Sequence, residues 1–268
     1  MIDCHVHSNF SPDSKMSTDT ACQAAINMGL KGITFTDHFD INYPYPDLVF
    51  MFELDKYFED IEEIKYKYKD QIKALTGIEI GLMPDTNDEN QQIVRQYNFD
   101  YVLASLHVVD GMDPYMLEYY NEKTKHQAYE RYLEEIHRII TLFNDFDMFA
   151  HFDYVIRPAA YDDRTLRYCD HSDIFDSIFK ELISKGKGFE INTGSYMDRT
   201  DGKKLVEYDI NILKRYKELG GELVCLGSDG HKPEHIGLKF SQFSELLKEA
   251  GFKYLVHFEQ RNPVFTKI

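Results

Sequence analysis

The sequence predicts an α/β protein whose parallel strands close into an irregular (β/α)7 barrel. Short apolar runs alternate with helix-like stretches, and no hairpin signal joins consecutive runs, a pattern typical of a parallel sheet covered on both faces. Polar residues follow most of these runs, which favours a barrel, because barrel enzymes build their sites at the carboxyl ends of several strands. An open doubly wound sheet is the alternative, but the first strand lacks the glycine-rich turn of its nucleotide-binding form.

Seven apolar runs predict the strands: residues 2–7, 32–36, 72–80, 101–106, 148–151, 188–191 and 222–227. Six stretches of helical character lie between or after them: residues 18–28, 54–68, 126–142, 172–184, 203–219 and 240–250. The segment 40–50 is too long and too rich in Pro and Tyr for a minimal turn. We therefore expect it to form a loop over the mouth of the site.

Length and charge restrict the classes of function. The 268 residues suffice for one large α/β domain and are few for two, so a single domain over residues 1–268 is expected. The formal net charge of −16 argues against a nucleic-acid partner, which would need a basic surface. No apolar run approaches the roughly 20 residues of a transmembrane helix, and the first residues lack the pattern of a signal peptide. We expect a cytoplasmic protein with no membrane partner.

Histidines mark the ends of the predicted strands. His5 and His7 end the first strand, and alternate residues of a strand project from one face, so both imidazoles can bind one ion. Such a pair is a weak signal in a chain with 11 histidines, but four more strands also end in histidine. These residues are His38, His107, His151 and His231, the last with Asp229 two residues before it.

Glu79 lies inside the apolar sequence GIEIG at the end of the third predicted strand. A buried carboxylate is costly unless it is paired or bound to a metal. An internal Arg or Lys is the simpler partner, but the imidazoles at the neighbouring strand ends favour a metal. Many histidines with few carboxylates and no thiolate cluster suit Zn, Mn or Fe better than Ca. The candidates are too many for one ion, so we expect two or three divalent ions that share a bridging ligand.

Taken in order, His5-x-His7, Asp13, His38, Glu79, His107, His151 and Asp229-x-His231 form a set that resembles the polymerase and histidinol phosphatase (PHP) superfamily. The motifs TDHF, GIEIG, SLH and AHFD around four of these residues look like those of a stand-alone, monofunctional histidinol-phosphatase. The resemblance implies a distorted (β/α)7 TIM-like barrel with a di- or trinuclear centre. It also makes a metal ligand of Asp13, which would otherwise be read as a turn or cap residue.

The resemblance further implies the ligand groups and the reaction. His5, His7, Glu79 and Asp229 would hold one ion, Glu79 with His107 and His151 a second, and Asp13 with His38 and His231 a third. Three such ions and three carboxylates leave a charge of about +3, which attracts a phosphate. The implied reaction is hydrolysis of L-histidinol phosphate to L-histidinol and phosphate, by attack of a metal-bridging hydroxide on phosphorus. Glu79, His38 and Asp229 would be the catalytic residues.

The sequence indicates fewer residues for substrate recognition than for metal binding. Arg157 and Arg199 are candidate bidentate clamps for the phosphate, and the alternative is a surface arginine paired with a carboxylate such as Asp153. The amine and imidazole of the substrate call for acidic groups, for which Asp40 and Asp85 are candidates. The proton donor to the leaving group is open between His38, Asp153 and the third ion.

Two other functions fit the same residues. The first is a PHP-fold phosphatase or phosphodiesterase for another phosphate ester, such as phosphotyrosine or a nucleotide. The second is a metal-binding module without catalysis, which fold alone does not exclude. The ligand set is complete, with no position replaced by an apolar residue, and this favours an enzyme. The sequence gives no indication of the oligomeric state.

Overall fold

Parallel strands form a nearly closed barrel in the computed structural model, which describes residues 1–197 and 205–268. In chain order they are β1 (Ile2–Val6), β2 (Gly32–Phe35), β3 (His38–Phe39), β4 (Lys73–Gly81), β5 (Tyr101–Ser105), β6 (Met148–Phe149), β7 (Gly188–Asn192) and β8 (Val224–Gly227). The short β3 lies beyond β2 and pairs with the same neighbour, β4, so seven strand positions make the ring. Gly230, just after β8, bridges back to Val6 of β1 and joins the two ends of the sheet. The predicted distorted (β/α)7 TIM-like barrel is confirmed.

Helices surround the barrel: α1 (Thr18–Asn27), α2 (Leu54–Tyr68), α3 (Asn87–Gln96), α4 (Lys125–Leu142), α5 (Ser172–Ser184), α6 (Ile210–Glu218) and α7 (Phe240–Glu249). Capping side chains define where several of them begin. Thr124 and Gln127 form a capping box at the start of α4, and the hydroxyl of Ser17 accepts a hydrogen bond from the amide of Thr20 in α1. Within the described residues, no helix is both long enough and apolar enough to cross a membrane.

Two helices differ from the prediction. The helix expected over residues 203–219 begins only at Ile210, because Asp209 caps it by accepting a hydrogen bond from the amide of Asn211 at 3.0 Å. The helix α3 was not predicted. Its sequence, NDENQQIVRQ, has only two apolar residues, so it carries no helical apolar stripe. Its buried residues are Asn90 and Val94, one helical turn apart.

An antiparallel hairpin that the sequence analysis did not predict closes the amino end of the barrel. Its strands are β9 (Tyr254–Glu259) and β10 (Asn262–Lys267). Phe258 of β9 stacks on Tyr101, the first residue of β5, with ring centroids 5.5 Å apart. The turn of the hairpin is fastened to Asp100, whose carbonyl accepts a hydrogen bond from the amide of Arg261 at 2.9 Å. Since the hairpin occupies this end, the site lies at the opposite, carboxyl end of the strands.

Candidate metal centre

The predicted ligands converge at the carboxyl end of the barrel around one cavity of about 900 Å³. Glu79 on β4 and His5 and His7 at the end of β1 have no solvent exposure and lie deepest. The other six line the cavity wall: Asp13, His38, His107, His151, Asp229 and His231. The 40–50 loop contributes Tyr43, Leu48 and Phe50 to the same wall, which places it at the mouth as expected.

The first group of ligand atoms surrounds one oxygen of Glu79. Its Oε2 lies 3.4 Å from Nε2 of His5 and 3.5 Å from Nε2 of His7. Oδ1 of Asp229 lies 3.0 Å from the same nitrogen of His7. A tetrahedral ion with bonds of about 2.1 Å separates its ligand atoms by roughly 3.4 Å. These four side chains therefore have the spacing of ligands to one ion.

The second group surrounds the other oxygen of Glu79. Oε1 lies 2.9 Å from Nε2 of His151 and 3.4 Å from Nε2 of His107. The two oxygens of the Glu79 carboxylate therefore face different pairs of imidazoles. The alternative partner for Glu79 was an internal Arg or Lys. In the described residues, its ion-pair partners are imidazoles.

A third group lies nearer the solvent. Oδ2 of Asp13, a side chain that is 42% exposed, is 3.2 Å from Nε2 of His231 and 3.6 Å from Nε2 of His38. The other ring nitrogen of His38, Nδ1, lies 2.7 Å from Oε2 of Glu79. His38 thus connects the exposed group with the buried carboxylate.

Several buried polar atoms at the centre have no hydrogen-bond partner among the described residues. They include Nδ1 of His38, Oε2 of Glu79 and Nε2 of His107. Buried polar atoms are almost always hydrogen-bonded, and an ion bound to these atoms would account for the missing hydrogen bonds. Imidazole nitrogens and carboxylate oxygens are ligands of zinc and similar divalent metals. The residues present therefore fit divalent metal ions.

Most of the imidazoles are oriented by a second hydrogen bond at Nδ1. The partner is Oε1 of Glu190 for His5 at 2.8 Å, and Oδ1 of Asp40 for His107 at 2.7 Å. Nδ1 of His7 is hydrogen-bonded to the Ser11 hydroxyl, and Nδ1 of His231 donates to the backbone carbonyl of Asp229. Such partners fix the ring so that Nε2 points to the metal.

Sequence reasoning missed one of these partners and considered another for a different role. Glu190 lies in GFEIN, a charge inside an apolar strand, which is the same signal that identified Glu79. Asp40 was considered for the substrate's amine. Its Oδ1 accepts a hydrogen bond from Nδ1 of His107, while its Oδ2 has no hydrogen-bond partner among the described residues. Asp85, the other candidate for the amine, is exposed and is not among the residues that line the cavity.

The carboxylates and imidazoles of the site shift each other's pKa values. Burial alone would lower the pKa of His107, but the negative charges of Asp40 and Glu79 more than offset it and raise this pKa to about 10. Burial would raise the pKa of Glu79, yet the surrounding imidazoles hold it well below its usual value. The pKa of His7 is lowered, by burial and by the neighbouring His231 and His38. Without metal, the site therefore holds protons between its ligands.

Of the two arginines predicted to bind phosphate, the structure describes only Arg157. Arg157 lines the cavity, with its guanidinium 2.7 Å from Oδ2 of Asp229, while its Nε donates to the Ser195 hydroxyl at 3.0 Å. Its guanidinium also lies over the Tyr154 ring, 5.0 Å from the centroid. Arg157 is thus a cation fixed next to a predicted metal ligand. Arg199 lies outside the described residues.

Known proteins match the chain over nearly its whole length. The model of the PHP domain family matches residues 3–194. The probable histidinol-phosphatase of Clostridium acetobutylicum is 36% identical over 97% of this chain and 98% of that protein. The histidinol-phosphatase of Lactococcus lactis subsp. lactis is 33% identical over 96% of this chain and 94% of that protein.

A solved structure matches the fold as well. The crystal structure of the histidinol phosphate phosphatase of Lactococcus lactis subsp. lactis, in complex with zinc, L-histidinol and phosphate, superposes with a TM-score of 0.90. It is 32% identical in sequence, and the match covers 98% of both chains. From the family match and the identity to these relatives, it follows that the chain belongs to the PHP-domain family and groups with its histidinol-phosphatases.

Proposed function

We propose that this chain hydrolyses L-histidinol phosphate to L-histidinol and phosphate with divalent metal ions. The observation that carries the proposal is the position of Glu79, whose two oxygens face separate groups of imidazoles at the floor of an open cavity. The similar Lactococcus enzyme, crystallised with zinc, L-histidinol and phosphate, supports this choice of substrate and of metal class.

We further propose that three groups hold the ions. His5, His7, Glu79 and Asp229 would hold the first, Glu79 with His107 and His151 the second, and Asp13 with His38 and His231 the third. The ligand distances of 2.9–3.6 Å within these groups support the assignment. Zinc suits the nitrogen-rich groups best, and manganese or iron would accept the same ligands.

The bound ions would supply a nucleophilic water of lowered pKa and neutralise charge on the phosphoryl oxygens. The residues of the chain have positioning roles. Glu79 would fix the spacing of the two buried ion positions, and Asp229 and His38 would complete the ligand groups beside them. Arg157, held by Asp229 and Ser195 at the cavity wall, would donate hydrogen bonds to a phosphoryl oxygen. Arg199 would be a second phosphate contact.

The proposed catalytic domain spans residues 1–268. Although the family match ends at residue 194, β8 supplies the strand that closes the barrel, and Asp229 and His231 follow it. The β9–β10 hairpin packs against the barrel interior through Phe258. The carboxyl-terminal part would therefore belong to the same folding unit.

The test is phosphate release by the purified full chain loaded with Zn²⁺ or Mn²⁺. L-histidinol phosphate, p-nitrophenyl phosphate, phosphotyrosine and a dinucleotide are compared at equal concentration. We expect kcat/KM to be highest, by about two orders of magnitude, for L-histidinol phosphate, and treatment with a chelator to abolish turnover until metal is restored. Equal rates on all substrates, or a rate unaffected by the chelator, would contradict the proposal.

A further inference from the structure

A carboxylate surrounded by aromatic rings lines the catalytic cavity apart from the metal ligands. Asp113 is 4% exposed, and the rings of Tyr43, Tyr115 and Tyr154 line the cavity with it. Oδ2 of Asp113 accepts a hydrogen bond from the Tyr43 hydroxyl at 2.5 Å, and Oδ1 accepts one from the Tyr154 hydroxyl at 3.1 Å. The backbone amide of Tyr115 donates to Oδ1 at 2.6 Å. The carboxylate is therefore fixed in position at the edge of the cavity.

Asp113 lies next to the metal centre. The ring centroid of Tyr154 is 5.4 Å from that of His107 and 5.1 Å from that of His151, while its hydroxyl reaches Asp113. A single tyrosine therefore separates this carboxylate from two proposed metal ligands. Asp113 and the proposed metal ligands line the same cavity, so one small molecule bound there can contact both.

The charge of Asp113 is not balanced by these contacts. Among the described residues, two phenol hydroxyls and one backbone amide donate hydrogen bonds to it, and all three groups are neutral. A buried carboxylate without a cation is costly, and its burial is explained when a ligand supplies the positive charge. The faces of tyrosine rings also attract cations. This part of the cavity is built to receive a cationic group.

The remaining acidic residues of the cavity have other partners. Asp13 and Asp229 lie in the proposed ligand groups, and Asp40 is engaged by His107. Among the described acidic residues that line the cavity, Asp113 is the one whose carboxylate has only neutral hydrogen-bond donors.

We propose that Asp113, fixed by Tyr43 and Tyr154, binds the ammonium group of the substrate while its phosphate lies at the metal ions. The proposal rests on the proposed function, since it takes the substrate to be the phosphate ester of an amino alcohol. A charge-assisted hydrogen bond from ammonium to carboxylate would then select amine-bearing esters over other phosphate monoesters. Asp113 would act in specificity, and it would not touch the reacting phosphorus.

The test compares two substrates on the zinc-loaded full chain: L-histidinol phosphate and the analogue that lacks only the amine. In Asp113→Asn we expect kcat/KM for L-histidinol phosphate to fall about 10- to 100-fold more than for the analogue. Asp113→Glu keeps the charge and should lose less of this preference. Asp47→Asn is the matched control, because it removes one negative charge from an exposed position in the 40–50 loop.

A binding measurement separates the two ends of the substrate. L-Histidinol and inorganic phosphate are used as inhibitors, and in Asp113→Asn the inhibition constant of L-histidinol should rise at least tenfold more than that of phosphate. Equal losses on both substrates, or an unchanged inhibition constant for L-histidinol, would overturn the assignment of Asp113. Failure of the proposed function is a different result, in which the wild-type chain releases phosphate from neither substrate.

Discussion

Glu190 on β7 accepts a hydrogen bond from Nδ1 of His5 at 2.8 Å, and this turns the opposite nitrogen of the imidazole towards Glu79 and Asp229. Both side chains of the pair are fully buried. Gly227 on the next strand makes room for the pair, since a Cβ there would lie 1.7 Å from Oε1 of Glu190. The orientation of His5, a proposed metal ligand, thus depends on the carboxylate of Glu190.

Replacing Glu190 by Gln should weaken metal binding more than it slows the loaded enzyme. The amide can keep a hydrogen bond to His5, but it removes the negative charge that makes this imidazole a stronger ligand. We expect about 10- to 100-fold lower metal affinity, with most of kcat recovered at saturating metal. Competition with a metal-binding dye measures the affinity, and Glu63→Gln on the exposed face of α2 is the control. Unchanged affinity would show that Glu190 has no such role.

The barrel was predictable because its strands are continuous apolar runs, and because histidines lie at the carboxyl ends of several strands. Other elements were not, for physical reasons that are visible in their sequences. The helix α3 has two apolar residues in ten, so it has no apolar stripe of helical period. The strand β10 is exposed along its whole length, so it has no alternation between buried and exposed residues to reveal it.

The convergence of the proposed ligands could be predicted from the sequence, whereas the residues that hydrogen-bond to them could not. Except for Asp13, which lies in the loop after β1, each proposed ligand is a His, Asp or Glu near the carboxyl end of a strand, and strand ends of a barrel converge. By contrast, the contact between Glu190 and His5 joins residues 185 positions apart, and no local pattern indicates it. Asp113 lies between β5 and α4, in a segment with no regular strand or long helix, so the sequence does not show that Tyr43 and Tyr154 meet it.

Loss of the bridge at Glu79 should abolish turnover. The change Glu79→Gln preserves size but removes the charge shared by both buried groups of ligands, so the two ion positions should lose affinity together. We expect kcat to fall by about three orders of magnitude or more, and His107→Ala to have a similar effect. Turnover is measured with metal content on the same samples, and near wild-type turnover in Glu79→Gln would show that the bridging position is wrong.

Metal loading should release protons at neutral pH. Although burial favours neutral His107, Asp40 and Glu79 raise its pKa to about 10, so the metal-free imidazole is protonated at pH 7. The ion must displace this proton, and affinity should therefore increase with pH up to that value, about tenfold per unit for each proton displaced. Calorimetric titration of the apoprotein with Zn²⁺ in two buffers of different ionisation enthalpy counts the protons. Release of none would contradict the protonation of His107.

Substitution of the two arginines should have separable effects. Arg157→Ala removes a cavity cation and also the 2.7 Å partner of Asp229, so we expect both a higher KM and a kcat reduced by about 10- to 100-fold. Arg199→Ala, at the second proposed phosphate contact, should mainly raise KM and lower kcat/KM. Steady-state kinetics with L-histidinol phosphate, together with metal content, distinguishes the two. Because Lys lacks the planar fork of Arg, Arg157→Lys should restore the charge but only part of the rate; full recovery in this variant would mean that charge alone is required at this position.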